Sequence, residues 1–177
     1  KQVEVSGQLY YLISTRASSV DGTIGWVNSK DIWAQTHVTI DKKEKLLYLK
    51  GTGWAYTNPW GSTQDAVYTD LTSFKNQPFK VNLTEQVGNY IWYRGTLLNG
   101  KTVWIQAGNV FSLPESNTSM LGHIQDQNAT IYKTIGDPST SITAGTTYTK
   151  KVFYIKKQAE LAGELYYLLS RNAKNTD

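Results

Sequence analysis

Cysteine is absent from all 177 residues. That excludes thiol nucleophiles, thiolate metal sites and disulfides, and it fits either a cytosolic protein or one exported from a Gram-positive cell. Histidine is nearly absent: His37 and His123 are the only two, and neither has a zinc-type spacing to another histidine or a carboxylate. Charged residues are few, at 18%. No apolar run approaches the roughly 20 residues that a membrane span needs. With a mean hydropathy of −0.42 the chain is predicted to be soluble. No basic segment followed by an apolar one marks a signal peptide. Nothing points to a Ser-His-Asp triad, and no carboxylate pair is marked for glycoside hydrolysis. The chain is therefore expected to be non-catalytic, with neither metal nor cofactor.

Aromatic residues, by contrast, are abundant: 6 Trp, 12 Tyr and 4 Phe, in a chain that is 40% hydrophobic. Such a composition is too apolar for a disordered chain. The net charge is +4 and the pI about 9.1. The excess of basic residues falls within 37–113 and 118–177, while 1–36 are neutral. A mild excess of this kind supports weak attraction to polyanions. It is thinner than the basic stripe of a nucleic-acid-binding array, so nucleic acid is not an expected partner. The Asn-x-Ser/Thr triplets at Asn82, Asn117 and Asn128 are read as accidental.

The opening residues return near the end. Residues 1–21 match 157–177 at 11 of 21 positions, an offset of 156. A weaker repeat lies at half that distance, where Ile24-Gly25-Trp26-Val27 corresponds to Thr102-Val103-Trp104-Ile105. Tyr10 to Ser14 is aligned with Tyr90 to Arg94, given a loop shortened by two residues. Gly53-Trp54-Ala55-Tyr56 is aligned with Ala129-Thr130-Ile131-Tyr132. The unit is thus about 78 residues long, and alternate units are more alike than neighbours, an a-b-a series. Residues 1–35 form the back part of an a unit, 37–113 a whole b unit, and 118–177 the front part of a second a unit. These cut points predict that missing strands are supplied by the other end of the chain or by a neighbouring molecule.

Strand signals are short and numerous. Leu9–Ser14, Ile24–Asn28, Leu46–Leu49, Gly53–Tyr56, Phe79–Leu83, Tyr90–Thr96, Thr102–Ile105, Thr130–Lys133 and Val152–Lys156 are rich in β-branched and aromatic residues. Asn99-Gly100 predicts a type I′ hairpin, and Asp21-Gly22 the matching turn. Asn58-Pro59-Trp60-Gly61 and Gly136-Asp137-Pro138 carry turn chemistry at equivalent places. Pro114 to Ser119 is read as a linker. No segment sustains helical periodicity, and the pattern predicts an all-β chain of small barrels or sandwiches.

Gly25-Trp26 after a Tyr-Leu-Ile strand, the Tyr56-Thr57-Asn58-Pro59-Trp60-Gly61 stretch, the Arg94–Lys101 hairpin before Trp104-Ile105 and the 78-residue spacing together resemble the GW modules of Gram-positive autolysins and surface proteins. The paired a-b arrangement is similar to the repeat regions of staphylococcal autolysins. Two departures stand out. Val103 replaces the glycine of the dipeptide in the b unit, and Ile135 is read at the position of Trp60. The resemblance implies tandem SH3-like (SH3b) barrels, secretion, and non-covalent attachment to the cell wall. The implied ligand is lipoteichoic acid or another anionic wall polymer, with peptidoglycan a further partner. Catalytic amidase and glucosaminidase domains would lie elsewhere in the parent protein. A second reading stays open: an adhesin module that binds host matrix proteins or heparin-like glycans.

A polyphosphate with glycerol or sugar units asks for separated cations among aromatic rings. The b unit offers Trp54, Tyr56, Trp60 and Trp104 with Lys80, Arg94 and Lys101, and the a units offer Trp26 and Tyr132. Trp60, in a Pro-Gly turn, is expected to be an exposed contact. Trp26 and Trp104, on strands, are expected in core or barrel-end packing, and Trp33 and Trp92 carry no position-specific signal.

Overall fold

The computed structural model describes residues 1–16 and 21–173. The chain divides into two compact units, Lys1–His37 and Val38–Asp177.

The first unit is a three-stranded antiparallel sheet of β1 (Gln2–Val5), β2 (Gln8–Ser14) and β3 (Thr23–Asn28). Ser6 and Gly7, at φ 52° and 76°, join β1 to β2. Two positive φ values in a two-residue loop make the type I′ turn whose twist matches the flanking strands. Of the Asp21-Gly22 turn, Gly22 is left-handed at φ 76°, and residues 17–20 of that loop lie outside the described residues.

The second unit begins with the b repeat. Its strands are β4 (His37–Asp41), β5 (Lys45–Leu49), β6 (Ala55–Tyr56), β7 (Ala66–Tyr68), β8 (Pro78–Val87), β9 (Tyr90–Thr96), β10 (Thr102–Gln106) and β11 (Val110–Phe111). They form one antiparallel sheet in the order β11-β5-β8-β9-β10-β6-β7, with β4 also on β8. The sheet curls so that residues from both ends share a core: Leu47, Leu49, Ala55, Leu71, Phe79, Val81, Leu97, Val103, Ile105 and Val110. This is a small SH3-like barrel, and the chain as a whole is all-β.

After it come β12 (Glu115–His123), β13 (Thr130–Tyr132), β14 (Ser141–Thr143), a four-residue helix α1 (Gly145–Tyr148), β15 (Val152–Leu161) and β16 (Glu164–Ser170). β15 lies between β12 and β16, and β13 pairs with β14. The expected linker at Pro114–Ser119 is thus largely strand. Glu115 pairs with Ala159, and its carboxylate holds Lys157 Nζ at 2.8 Å.

The 156-residue repeat is visible in register. Val3 pairs with Tyr10 and Glu4 with Leu9, as Ala159 pairs with Tyr166 and Glu160 with Leu165. Ala162 and Gly163 repeat the left-handed pair, at φ 57° and 83°.

Three expectations, two of them about the alignment of repeats, need correction. Trp26 lies opposite Leu12 and Trp104 opposite Arg94, so Leu12 is equivalent to Arg94 and Tyr10 to Trp92. The loop between these strands is therefore shorter by four residues in the b unit, not two. Second, Asn99-Gly100 does not form a type I′ turn. Gly100 is left-handed at φ 83°, Asn99 is not, and Leu97 N–H donates to Lys101 O at 2.9 Å. The loop is three residues long, a turn followed by a left-handed glycine. Third, Trp60 occupies a left-handed position at φ 59°, and its counterpart in the next repeat is Gly136 at φ 78°, so Ile135 corresponds to Pro59.

Candidate functional site

A β-bulge creates the second apolar cluster of the b barrel. In β8, Val81 pairs with Gly95 but Leu83 with Arg94, so Asn82 is the extra residue. The extra residue turns the strand's apolar alternation over. Phe79 and Val81 point into the barrel, while Leu83 and Val87 point out of it, beside Trp92 and Trp104. On β10 the alternation is regular: Val103 and Ile105 face inward and Trp104 outward. Trp104 is therefore buried, at 7% exposure, on the outer face of the sheet.

The β6 strand and the turn after it cover this outer face. Tyr56 lies opposite Trp104 in the ladder, and Tyr56 and Trp60 both pack on the cluster. Trp54 stacks on Tyr56 at 6.1 Å and 29°, and Tyr56 meets Trp92 edge-on at 5.7 Å and 74°. Trp60 is partly buried here, not the exposed contact its turn suggested, because the turn folds back over the sheet. A bulky residue in the left-handed region costs roughly 1–2 kcal/mol. Its neighbours hold it there. Ser62 N–H donates to Asp65 Oδ2 at 2.9 Å, and Thr57 N–H donates to Asp65 O at 2.9 Å. The Ser62 backbone N–H, with the Ser62 hydroxyl, keeps the Asp65 carboxyl below its ordinary pKa. A Cβ on Gly61 would stand 2.7 Å from the Tyr56 ring, so the turn closes this tightly only with glycine there.

Beside the cluster lies a cleft of about 400 Å³, lined by Gly53, Trp54, Tyr56, Gly61, Thr63, Trp92, Gln106 and Asn109. No cation lines it, but one stands over the neighbouring cluster and another contacts the residue before Asn109. Arg94 sits 5.9 Å over the Trp104 ring and donates from Nε to Asn82 Oδ1 at 3.0 Å. Lys50 donates from Nζ to Gly108 O at 2.9 Å, next to Asn109.

Of the residues singled out in the sequence, Trp54, Tyr56, Trp60, Trp104 and Arg94 meet at this place. The rest do not. Lys101 Nζ lies 5.1 Å over the Tyr68 ring, beyond the barrel core. Lys80 Nζ is held at 3.0 Å by Asp137 of the following repeat. Tyr132 meets Tyr166 edge-on at 6.1 Å in that repeat. Trp26 belongs to the first unit and is 51% exposed, unlike its counterpart Trp104 and contrary to the packing expected for it, since β1–β3 bury little. The sequence carried no signal for Trp92, Gln106 or Asn109. Their place depends on strand register and on the bulge at Asn82.

Among the described residues no group of His, Asp and Glu is arranged to hold a metal ion, and no helix is long and apolar enough to cross a membrane.

A small barrel with an outward aromatic cluster, in a chain whose sequence repeats, defines a class of repeated modules. The model of the GW (Gly-Tryp) dipeptide domain matches residues 1–32, 38–111 and 115–176, and the chain belongs to that family. Over 113 residues, 60% of this chain, it is 35% identical to a bifunctional autolysin of Staphylococcus aureus strain MRSA252, and 34% identical to that of strain N315. The matched stretch is 8% of those relatives' length. A crystal structure of a candidate autolysin from Listeria monocytogenes covers 98% of this chain, with 73% of its own chain covered, at 18% identity and a TM-score of 0.42. The chain is a set of GW repeats of the kind found in autolysin-type proteins.

Proposed function

We propose that these repeats, bounded near 1–35, 37–113 and 118–177, are the non-catalytic part of a secreted peptidoglycan hydrolase and hold it on a Gram-positive surface by binding lipoteichoic acid. The observation that supports this reading best is the covered aromatic face of the b barrel, with Arg94 and Lys50 beside it. Rings take the glycerol or sugar part of the polymer and cations its phosphates. Each exposed ion pair contributes only about 0–1 kcal/mol, so one barrel binds weakly. Several barrels on one polymer gain by effective concentration, roughly 100-fold or more, which is a physical reason for repetition. The enzymatic activity of the parent protein, amidase or glucosaminidase, belongs to other domains.

Titration of lipoteichoic acid into the chain at two salt concentrations, read by tryptophan fluorescence, tests the reading. Saturable binding that weakens as salt rises is expected, and Trp60→Ala should weaken it about tenfold, the loss of one stacked ring. Failure to bind at low salt would overturn the polymer reading and leave host matrix proteins or heparin-like glycans as the ligands.

Strand exchange between copies belongs to the same proposal. Leu165, Tyr167 and Leu168 on β16 are 42–49% exposed, beside a groove of about 690 Å³. β16 repeats the sequence of β2, whose partner strand places Trp26 opposite Leu12. A second copy's β3 would then place Trp26 opposite Leu168. Sedimentation should show dimers that Trp26→Asp abolishes. A monomer at all concentrations would rule exchange out.

A further inference from the structure

Two features of the cleft bear on what it holds. None of its lining residues carries a charge. Its lining residues carry the Thr63 and Tyr56 hydroxyls, the Trp54 indole N–H, the Gln106 and Asn109 amides and the backbone of Gly53 and Gly61. The other feature is the Trp92 indole. It is 6% exposed, and its Nε1 is the buried side-chain nitrogen or oxygen without a hydrogen-bond partner among the described residues. A buried donor left without an acceptor is costly, and natural folds rarely keep one without a reason.

We infer that this cleft is a subsite for an uncharged, hydroxyl-bearing unit, a sugar or polyol, with one of its oxygens accepting the Trp92 indole hydrogen. The inference rests on the wall-polymer reading and divides the work within it. Phosphates belong to Arg94, over the Trp104 ring, and to Lys50, beside Gly108, and a neutral unit of the polymer enters the cleft. An anion is a poor occupant because desolvating it against uncharged walls has no compensating charge. A purely apolar ligand is poor too, because it would leave the indole donor unpaired. Apolar ring faces with a few fixed polar groups suit a sugar or polyol, which presents C–H surface and hydroxyls together. In this arrangement the indole nitrogen is buried, so an incoming oxygen reaches it only when a neighbouring side chain shifts. Trp60, packed on the same cluster, stands on a left-handed turn where its counterpart in the next repeat is Gly136.

The test is a titration of the ¹⁵N-labelled full chain, following the indole N–H signals, with Trp92→Phe used for assignment. The probes are chitotetraose, oligo(glycerol phosphate) and inorganic phosphate. Chitotetraose or oligo(glycerol phosphate) should move the Trp92 indole signal downfield. The first probe points to sugar as the natural occupant and the second to glycerol, and either outcome supports the subsite. The chitotetraose shift should be insensitive to salt. Trp92→Phe should lower affinity about tenfold, one hydrogen bond. Thr63→Val, an exposed near-isosteric change, should lower it several-fold without altering the fold. A Trp92 signal that neither organic probe moves overturns the subsite, as does one moved by inorganic phosphate alone. Retention on isolated walls separates the two proposals. Walls that hold the chain while Trp92 stays still refute the subsite only. A Trp92 shift with chitotetraose, with no retention on walls, refutes the wall-anchor reading only.

Discussion

Gly95→Val is expected to unfold the b barrel. Gly95 is on β9, between Val81 of β8 and Val103 of β10, and it is buried. A Cβ there would stand 2.7 Å from the Lys80 carbonyl oxygen and 2.8 Å from the Phe79 ring. Neither neighbour can give. The carbonyl belongs to the β8–β9 ladder, where Lys80 pairs with Thr96, and Phe79 is fully buried at the centre of the core. Overpacking a tight core costs about 1–3 kcal/mol, and a branched side chain against backbone belongs above that range. A domain of this size has only several kcal/mol of stability in total. Thermal unfolding followed by near-ultraviolet circular dichroism should show the signal of Trp92 and Trp104 lost at room temperature, together with polymer binding. Gly100→Ala is the control. A Cβ there meets nothing within 4 Å, so the strain of its φ of 83° is the whole cost, about 1 kcal/mol. If Gly95→Val melts like Gly100→Ala, the sheet is looser at this point than its geometry states.

The duplication of 1–21 in 157–177 was legible from 11 identities in 21 residues, but the hairpins inside it were not read from the sequence. A left-handed pair at Ser6-Gly7 and again at Ala162-Gly163 fixes both hairpins without help from the rest of the fold. The b repeat was legible in class but not in register. Its diverged sequence aligned Tyr10 with Tyr90 by residue type, whereas the ladder matches Tyr10 to Trp92. The outward aromatic face was hidden for a related reason. Apolar alternation through Phe79, Val81 and Leu83 looks unbroken in sequence, yet the bulge at Asn82 sends Leu83 to the opposite side from the other two. A bulge in an apolar strand leaves the alternation of residue types intact, so composition alone cannot reveal it. Trp60 was expected to project because a core Trp is unusual in a Pro-Gly turn, but it stands at a left-handed position and packs on the cluster.

The second large effect is expected where the b repeat meets the next one. Asp137 is fully buried and accepts three hydrogen bonds: Ser139 N–H at 3.1 Å, Ser139 Oγ–H at 2.6 Å and Lys80 Nζ at 3.0 Å. Tyr48 of the barrel adds a hydrogen bond to Ile135 O at 3.1 Å. The Ser139 hydroxyl first, then Lys80, keeps the Asp137 carboxyl below its ordinary pKa of 3.8. A depressed carboxylate contributes stability that is fully present above that ordinary value and is lost as pH falls through the lowered one. The joint should therefore loosen only in strong acid, below about pH 4, and stay constant from there to neutrality. Asp137→Ala removes a charge-assisted hydrogen bond to Lys80 and two bonds to Ser139, an exposed residue that water can reach, and should cost about 2–3 kcal/mol at neutral pH. Lys80→Met should cost less, about 1–2 kcal/mol, because Lys80 is 55% exposed and water replaces part of its pairing. Melting of the two single variants and the double variant across pH 2–7 gives the coupling directly. The Asp137→Ala chain should lose the acid limb of the profile that this carboxylate supplies. It should also bind long polymer more weakly than wild type while binding short oligomers equally well, because a loose joint lowers the effective concentration of the second barrel without touching the first. Equal loss for short and long ligands would show that Asp137 supports the b barrel itself, not the joint.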